Sequence, residues 1–284
     1  MTGDPEAIAE RLRVVSYYRL SAYWYPFRAS EGEQFKPGTD FERVWEAYAF
    51  DRQLRLLAMD AIERIEIAVR TRLVYHHVQR FGPFGYATKP DSLPNLLDDR
   101  RTKFFSSLAD EVGRSRETFV KHYKSKYGDE HHLPLWMATE IMSFGATLTL
   151  FNGCDSQAKR AVAEVFAVDP KVLASWLLSL NTVRNICAHH GRLWNRESGT
   201  APMIPAKQPA WNQPYRLESR RIFAILTIAN YCLEKISPGT GWASRWRALL
   251  EEHPRIHRRS MGVPVNWLES SLWASARTSA GRSS

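Results

Sequence analysis

The chain has 284 residues, of which 44% are hydrophobic, with ten tryptophans and eleven tyrosines. This composition supplies a hydrophobic core and excludes a chain that is disordered throughout. The length fits one large domain or one domain with extensions. The formal net charge of +9 favours a polyanionic partner, meaning nucleic acid or an anionic membrane surface, although basic charge often serves solubility alone.

The cysteine content indicates a reducing compartment. Three cysteines (Cys154, Cys187 and Cys232) are too few and too scattered for a disulfide framework. The N-terminus is polar and charged, unlike a secretory signal peptide, and no run approaches the roughly 18 apolar residues that span a bilayer. We therefore expect a soluble, cytoplasmic protein that does not use a membrane.

Helical periodicity predicts an all-α fold with one long helix near the N-terminus. Residues 40–82 read as a single helix, or as two helices broken near 50–53, that opens with the capping box Thr39-x-x-Glu42 and stops at Gly82. Apolar residues advance by three or four along it and predict one buried stripe. The stripe consists of Ile62, Ile65, Val69, Leu73 and His76.

The rest of the chain predicts shorter helices and one long loop. Further helices are expected over 100–112, 115–126, 135–151, 156–166, 170–189, 215–236 and 242–252. Residues 199–214 contain four prolines and predict a long irregular loop. We expect a single helical domain over 1–252 and a basic extension over 253–284, with about the last nine residues disordered.

Positive charge is concentrated in two segments that are candidates for phosphate contact. Residues 100–126 contain eight Lys and Arg against three Asp and Glu, and residues 245–259 contain five Arg against two Glu. Basic side chains so grouped bind phosphate backbones. Either segment taken alone is more simply explained as a solvated helix face.

The segment RNICAHHGRLWNR (184–196) concentrates imidazole and guanidinium groups at a predicted helix end. The helix begins after Asp169 with Pro170 near its first position, and Gly191 is predicted to take the left-handed position that follows a helix end. His189 and His190 then lie in the last turn. The negative end of the helix dipole favours their protonated forms by up to about 1 kcal/mol.

The spacing of Arg184 and His189 suits a site assembled at an interface. Five residues separate the two, which is about 140° around a helix, so Arg184 must reach around the helix or meet a histidine across a second surface. A histidine can relay protons during phosphodiester cleavage while an arginine neutralises the phosphate, and no metal is then required.

Six sequence blocks, in order, resemble the Abi-like family of bacterial abortive-infection proteins. The last of them contains the Arg-Asn-x3-His motif of HEPN ribonuclease domains, here Arg184, Asn185 and His189. Family members usually carry a further helical segment before the first block, which sixteen residues precede here, so we expect a short form or a downstream start. The blocks are YYRLSAYWYPFR (17–28), FDRQLR (50–55), AIERIEIAVRTRL (61–73), HYKSKYG (122–128), LPLWMATEIMSFG (133–145) and SWLLSLNTVRNICAHHGRLWNR (175–196).

The resemblance implies a helical HEPN-type bundle and a metal-independent endoribonuclease without cofactors that leaves 2′,3′-cyclic phosphate and 5′-hydroxyl ends. It also implies a composite site in which two Arg-x4-His helices face each other. The Arg-Asn-x3-His form of this motif occurs once in the chain, so a homodimer through that helix is the simplest arrangement. The alternative is a degenerate second half within the chain, around Glu63, Glu66 and Arg70.

Each candidate catalytic residue also has a purely structural interpretation. Arg184 and His189 form the catalytic pair, or else a polar cluster that closes the helix end. Asn185 orients His189 or binds phosphate, or else bonds to the backbone at the helix end. His190 is a second proton carrier or a structural residue.

The residues that follow the histidines are candidates for RNA contact. Arg192, Trp194, Asn195 and Arg196 would grip RNA by ion pairing and base stacking, although Trp194 would equally serve to anchor the turn to the core. A zinc site at Cys187 with the two histidines lacks separated ligand pairs, so Cys187 is expected to be a small buried hydrophobe. The tyrosines and tryptophan over 17–27 are expected to form a packed N-terminal cap rather than a base-stacking surface.

By resemblance, the function is that of a phage-defence effector or toxin that cleaves RNA after infection. A controlling partner is then expected, either an antitoxin protein or a structured regulatory RNA. The main alternative is a non-catalytic RNA-binding module of a defence or toxin–antitoxin system. A structural interaction protein and a metal-dependent nuclease are further alternatives.

Overall fold

The computed structural model describes residues 1–29, 34–128 and 132–278. Within these ranges the chain forms thirteen α-helices and no β-strand, which confirms the all-α prediction. The helices are α1 (Pro5–Val14), α2 (Tyr17–Trp24), α3 (Phe41–Phe81), α4 (Gly85–Thr88), α5 (Asp98–Arg114), α6 (Thr118–Tyr127), α7 (Leu135–Ile141), α8 (Phe144–Gly153), α9 (Ser156–Glu164), α10 (Pro170–Ala188), α11 (Ile222–Ile236), α12 (Trp242–Glu252) and α13 (Ala274–Thr278).

The long helix α3 is the centre of the bundle and contacts α2, α4 and each of α7 to α12. It runs unbroken through 50–53, and Gly82 ends it with φ 79°, as predicted. The capping residue is Asp40 and not Thr39, because the Asp40 carboxylate accepts the Arg43 backbone N–H at 2.8 Å. The Thr39 hydroxyl instead donates to the Lys36 carbonyl at 2.8 Å.

The buried stripe of α3 ends one residue later than the sequence predicts. Ile62, Ile65, Val69 and Leu73 are fully buried as expected. A step of four from Leu73 reaches His77, which is 1% exposed, whereas His76 is only partly buried. Burial lowers the pKa of His77 to about 4, since the interior disfavours the charged imidazolium.

The largest departures from the predicted helix bounds occur in two helices. The helix expected over 135–151 is broken at Met142, because Ser143 caps a new helix by accepting the Ala146 N–H at 3.2 Å. The helix expected from 215 begins only at Ile222. The preceding segment pairs with the chain after α10, where the Ser198 N–H donates to the Arg220 carbonyl at 2.8 Å.

The proline-rich loop over 199–214 is irregular, as predicted, and it packs against α10 and α11. The buried Trp211 lies 5.1 Å from Trp176 of α10, ring centre to ring centre, and 5.2 Å from Tyr231 of α11. The Trp176 indole donates to the Met203 carbonyl at 2.8 Å. The aromatic contacts therefore hold a loop that its prolines keep out of helical geometry.

The segment 253–278, expected to be a basic extension, contributes to the same hydrophobic core as the helices. Trp267 and Trp273 are buried, and Trp273 stacks on Phe223 of α11 at 5.5 Å. Residues 279–284, most of the end that was expected to be disordered, lie outside the described residues. Among the described helices, none combines the length and the apolar character needed to cross a bilayer.

Stability is expected to fall as the pH is lowered, through His77. An unfolded histidine titrates near 6.5, so between about pH 6.5 and pH 4 the unfolded chain takes up a proton that the fold excludes. The free energy of unfolding should fall by about 3 kcal/mol across that window. Urea denaturation of wild type and His77→Leu at several pH values measures this, and His122→Leu, at an exposed histidine, is the control. Equal pH dependence in wild type and His77→Leu would contradict the prediction.

Candidate functional site

Helix α10 ends in a Schellman motif formed by the two histidines. The His190 N–H donates to the Cys187 carbonyl at 2.9 Å, and the Gly191 N–H donates to the Ile186 carbonyl at 2.7 Å. The left-handed residue is His190, with φ 55°, so the prediction that Gly191 holds this position was wrong. His189 is the capping residue and His190 lies just beyond it.

Glycine is needed at position 191 for a different reason: its backbone lies very close to Ile186. A Cβ on Gly191 would lie 3.1 Å from the Ile186 side chain and 3.2 Å from its carbonyl oxygen. Both contacts are tighter than ordinary packing allows. The chain therefore turns sharply onto the end of its own helix, and histidine accepts the left-handed position that this requires.

The chain leaving this turn is held by the buried carboxylate of Asp51, on α3. Asp51 has no exposed surface, and one of its oxygens accepts the backbone N–H groups of Leu193 at 3.0 Å and Trp194 at 2.6 Å. The other oxygen accepts the Tyr23 hydroxyl at 2.6 Å and a hydrogen bond from Arg55. Burial raises the pKa of Asp51 and these four donors lower it. The ionised form is the one that satisfies all four donors.

Two arginines join the turn to helix α2. Arg19 donates to the His190 carbonyl at 2.9 Å, and Arg192 donates to the Ala22 carbonyl. Arg192 is half-buried, and burial lowers its pKa. The structure thus places Arg192, a predicted RNA contact, in the packing of the turn. We call residues 189–194, fixed by these contacts, the histidine turn.

The predicted site residues divide into exposed and packed groups. Asn185, His189, His190 and Arg196 are exposed. Trp194 is 3% exposed and belongs to the hydrophobic core, so of its two interpretations the structure supports the anchor. Asn195 is half-buried with φ 51°.

Arg184 lies on the side of α10 that faces α3. It is half-buried and close enough to Glu66 to lower the pKa of that carboxyl, although burial has the larger effect and raises it. Glu66 also accepts a hydrogen bond from Arg70. Arg70 donates further to the Met142 carbonyl, at 2.5 Å, and to the Thr147 hydroxyl, at 3.3 Å. The structure thus brings Arg184 together with the Glu66–Arg70 pair.

The N-terminal aromatic residues are only partly packed. Tyr23 and Trp24 are buried as the packed-cap prediction requires, but Tyr18 is 87% exposed, and Tyr17 and Tyr25 are also largely exposed. Since Arg19 between them bonds to His190, this exposed aromatic surface adjoins the histidine turn.

Cys187 is buried, as predicted, and burial raises its pKa to about 12. A thiol in this state is a poor nucleophile and a poor metal ligand. Across the described ranges, no group of three or more His, Cys, Asp or Glu side chains is placed to hold a metal ion.

Sequence reasoning did not assign roles to Asp51 and Arg19. Both occur in the blocks FDRQLR and YYRLSAYWYPFR, but a hydrogen bond to a backbone group more than 140 positions away leaves no local pattern. The one available signal for Asp51 was its position as a polar residue on an otherwise apolar face of the helix.

The Abi-like protein family matches residues 10–195, which are 186 of the 284 residues. The chain therefore belongs to the Abi-like protein family, and this membership supports a role in abortive infection, a form of phage defence. Comparison with curated proteins and with solved structures gives no match.

Asp51→Asn is expected to destabilise the protein by about 3–5 kcal/mol, the usual result of removing one partner from a buried charge pair. The amide nitrogen of asparagine would face the Arg55 and Tyr23 donors. An amide NH2 group cannot accept their hydrogen bonds. Urea denaturation measures the loss.

Asp60→Asn on the same helix is the matched control. Asp60 forms surface ion pairs with Arg64 and Arg245, each worth at most about 1 kcal/mol. Equal losses in the two variants would show that Asp51 does not hold the histidine turn.

Proposed function

We propose that this protein is a metal-independent endoribonuclease of abortive infection, in which His189 is the general acid/base and Arg184 stabilises the phosphate. The observation that carries the proposal is the exposure of the His189 imidazole at the end of α10, on a turn whose backbone is held by buried and half-buried contacts. An exposed imidazole on a fixed backbone is accessible to RNA and loses little freedom when RNA binds.

The reaction is an internal transesterification. A neutral imidazole takes the proton of a ribose 2′-hydroxyl, the 2′-oxygen bonds to the adjacent phosphorus, and the bond from phosphorus to the 5′-oxygen breaks. A protonated imidazole gives its proton to the leaving 5′-oxygen, so the products are a 2′,3′-cyclic phosphate and a 5′-hydroxyl. Arg184 neutralises charge on the phosphate during this step.

Glu66 supports the role of Arg184 through its charge. The guanidinium is close enough to lower the pKa of the Glu66 carboxyl, so the carboxylate favours the cation on this side of the α3–α10 contact. Asn185 keeps its side chain exposed beside this pair, where it can bind phosphate or orient His189.

The reaction uses two imidazoles, one neutral and one protonated, and a homodimer is the simpler way to supply both. The alternative within the chain uses Glu63, Glu66 and Arg70, but Arg70 is already occupied by three acceptors and the set contains no imidazole. Two copies of α10 would bring together two His189 side chains, one to accept a proton and one to donate it.

RNA contact is assigned to the exposed Arg196 and Tyr18 and to the half-buried Asn195. Arg196 supplies charge, Asn195 a polar group, and the exposed Tyr18 a ring on which a base can stack. His190 is a second proton carrier or serves only the left-handed cap. Arg192 and Trp194 act through the backbone they hold. The protein acts in the cytoplasm under a controlling partner, either an antitoxin protein or a structured RNA, since free cleavage harms the host.

Wild type is expected to cleave a mixed-sequence RNA panel in EDTA, with cyclic-phosphate ends. His189→Ala should lose about 100-fold or more of the rate, the usual contribution of a general acid/base, with RNA affinity nearly unchanged. Gel mapping of product ends and anisotropy with the same RNAs measure the two effects. His190→Asn tests whether His190 is a second proton carrier, because asparagine also tolerates the left-handed backbone. His122→Ala is the control at an exposed histidine.

Other results identify the alternatives. Loss of cleavage in EDTA indicates a metal-dependent nuclease. RNA binding without cleavage, unchanged by His189→Ala and by added infected-cell extract, indicates a binding module. A lower melting temperature of Arg184→Ala with unaltered RNA affinity indicates a purely structural motif.

The dimer makes a separate prediction. If each dimer needs two His189 side chains, wild-type chains mixed with an excess of His189→Ala chains form heterodimers with only one of them, so cleavage per wild-type chain should fall. Sedimentation velocity should show a dimer at the concentrations used. Unchanged cleavage per wild-type chain in a mixture of folded dimers that exchange subunits would exclude a site shared between copies.

A further inference from the structure

A cavity with a volume of about 510 Å³ lies beside the histidine turn. Three separate parts of the chain line it: the start of α3 with the segment before it, Trp194 and Asn195, and the segment after α12. The last of these lies outside the residues that match the Abi-like family. We call it the Trp194 cavity.

The Trp194 cavity has an excess of positive charge. Lys36, Arg43, Arg255 and His257 line it together with one carboxylate, Glu46. Glu46 is paired with Arg255, Oε2 to Nε at 2.6 Å. Within the ranges that the structure describes, Lys36 and Arg43 have no acidic partner. Lys36 donates to the Pro26 carbonyl at 2.9 Å, which leaves further ammonium protons for an anion.

Apolar and aromatic groups line the same cavity. Arg43 lies over the Phe27 ring at 5.4 Å, and Trp194 and Ile256 complete the apolar lining. The Trp194 indole N–H is buried without an acceptor among the described residues. A cavity of a few hundred Å³ that joins cations to aromatic rings is larger than a lone phosphate needs and has the size of a small-ligand site.

We propose that the Trp194 cavity binds a nucleoside phosphate, with the phosphate on Lys36 and Arg43 and the base against the Phe27 and Trp194 side. Lys36 and Arg43, which have no acidic partner among the described residues, supply the charge-assisted contacts that phosphate prefers, and the apolar lining supplies the surface for a base. The ligand is either a free nucleotide or one nucleotide of an RNA strand that passes the histidine turn. Neither requires that the protein cleave RNA.

Calorimetry of the whole chain with the four ribonucleoside monophosphates tests the proposal. Inorganic phosphate, the free nucleosides and a deoxyribonucleotide hexamer, which has no 2′-hydroxyl to react, are the comparison ligands. Wild type should bind at least one monophosphate or the hexamer more tightly than phosphate or nucleoside. Lys36→Gln with His257→Gln should weaken this at least about tenfold, the effect of losing one charged contact.

The matched control is Lys121→Gln with His122→Gln, which removes the same side chains from an exposed face of α6 and should bind as wild type does. If Lys36→Gln with His257→Gln has a lower melting temperature than wild type, Arg43→Gln replaces it. Arg52→Gln, at an exposed arginine of the same helix, is then the control.

The outcomes separate the two sources of the ligand and the failure of the proposal. Binding of a monophosphate as tight as that of the hexamer identifies a free nucleotide, and binding of the hexamer alone, lost in the cavity variant, identifies a strand. The proposal is overturned when no probe binds wild type, when cavity and control variants bind equally, or when phosphate alone binds as well as any nucleotide. Because binding is measured without turnover, none of these results depends on His189.

Discussion

The buried carboxylate of Asp51 is the constraint on which the candidate site depends. It accepts hydrogen bonds from α2, from its own helix and from the last two residues of the histidine turn, Leu193 and Trp194. A buried carboxylate is costly unless every lone pair is used, so its partners must stay in place for the fold to be stable. The chain after α10 is thereby held against the central helix, and it cannot move without leaving one oxygen of a buried carboxylate without hydrogen bonds.

Around this constraint the arginines have two distinct functions. Arg19 and Arg192 donate to backbone carbonyls and hold α2 against the turn, and Arg70 bonds to α7–α8 backbone and Glu66. Arg196, by contrast, is exposed. A segment rich in arginine is therefore a poor guide to phosphate contacts by itself, because the guanidinium group that binds phosphate also binds carbonyl oxygens well.

The packing of the C-terminal residues adds residues to the candidate site that lie outside the segment 10–195 that matches the family. Trp267 and Trp273 join the aromatic cluster of α11 and α12, and this places Arg255 and His257 at the Trp194 cavity. The basic segment 245–259 thus contributes to a cavity next to the histidine turn. In sequence the two are about 60 residues apart, and the tryptophan packing and the Arg255–Glu46 ion pair help to hold them together.

The sequence by itself determined the all-α class, the helical character of residues 41–81 and the helix end at Gly82, because helical periodicity and glycine caps are local physical signals. It left open a break near 50–53, which the structure does not have. It also identified the segment 184–196 and the family resemblance. Only the tertiary structure decided that His190 takes the left-handed position, that Trp194 and Arg192 hold the turn, and that Arg184 lies beside Glu66. The left-handed cap is closed by local hydrogen bonds at the helix end, whereas the other features depend on contacts between residues far apart in the chain. Such contacts are set by burial and by the pairing of buried polar groups, which no local spacing records.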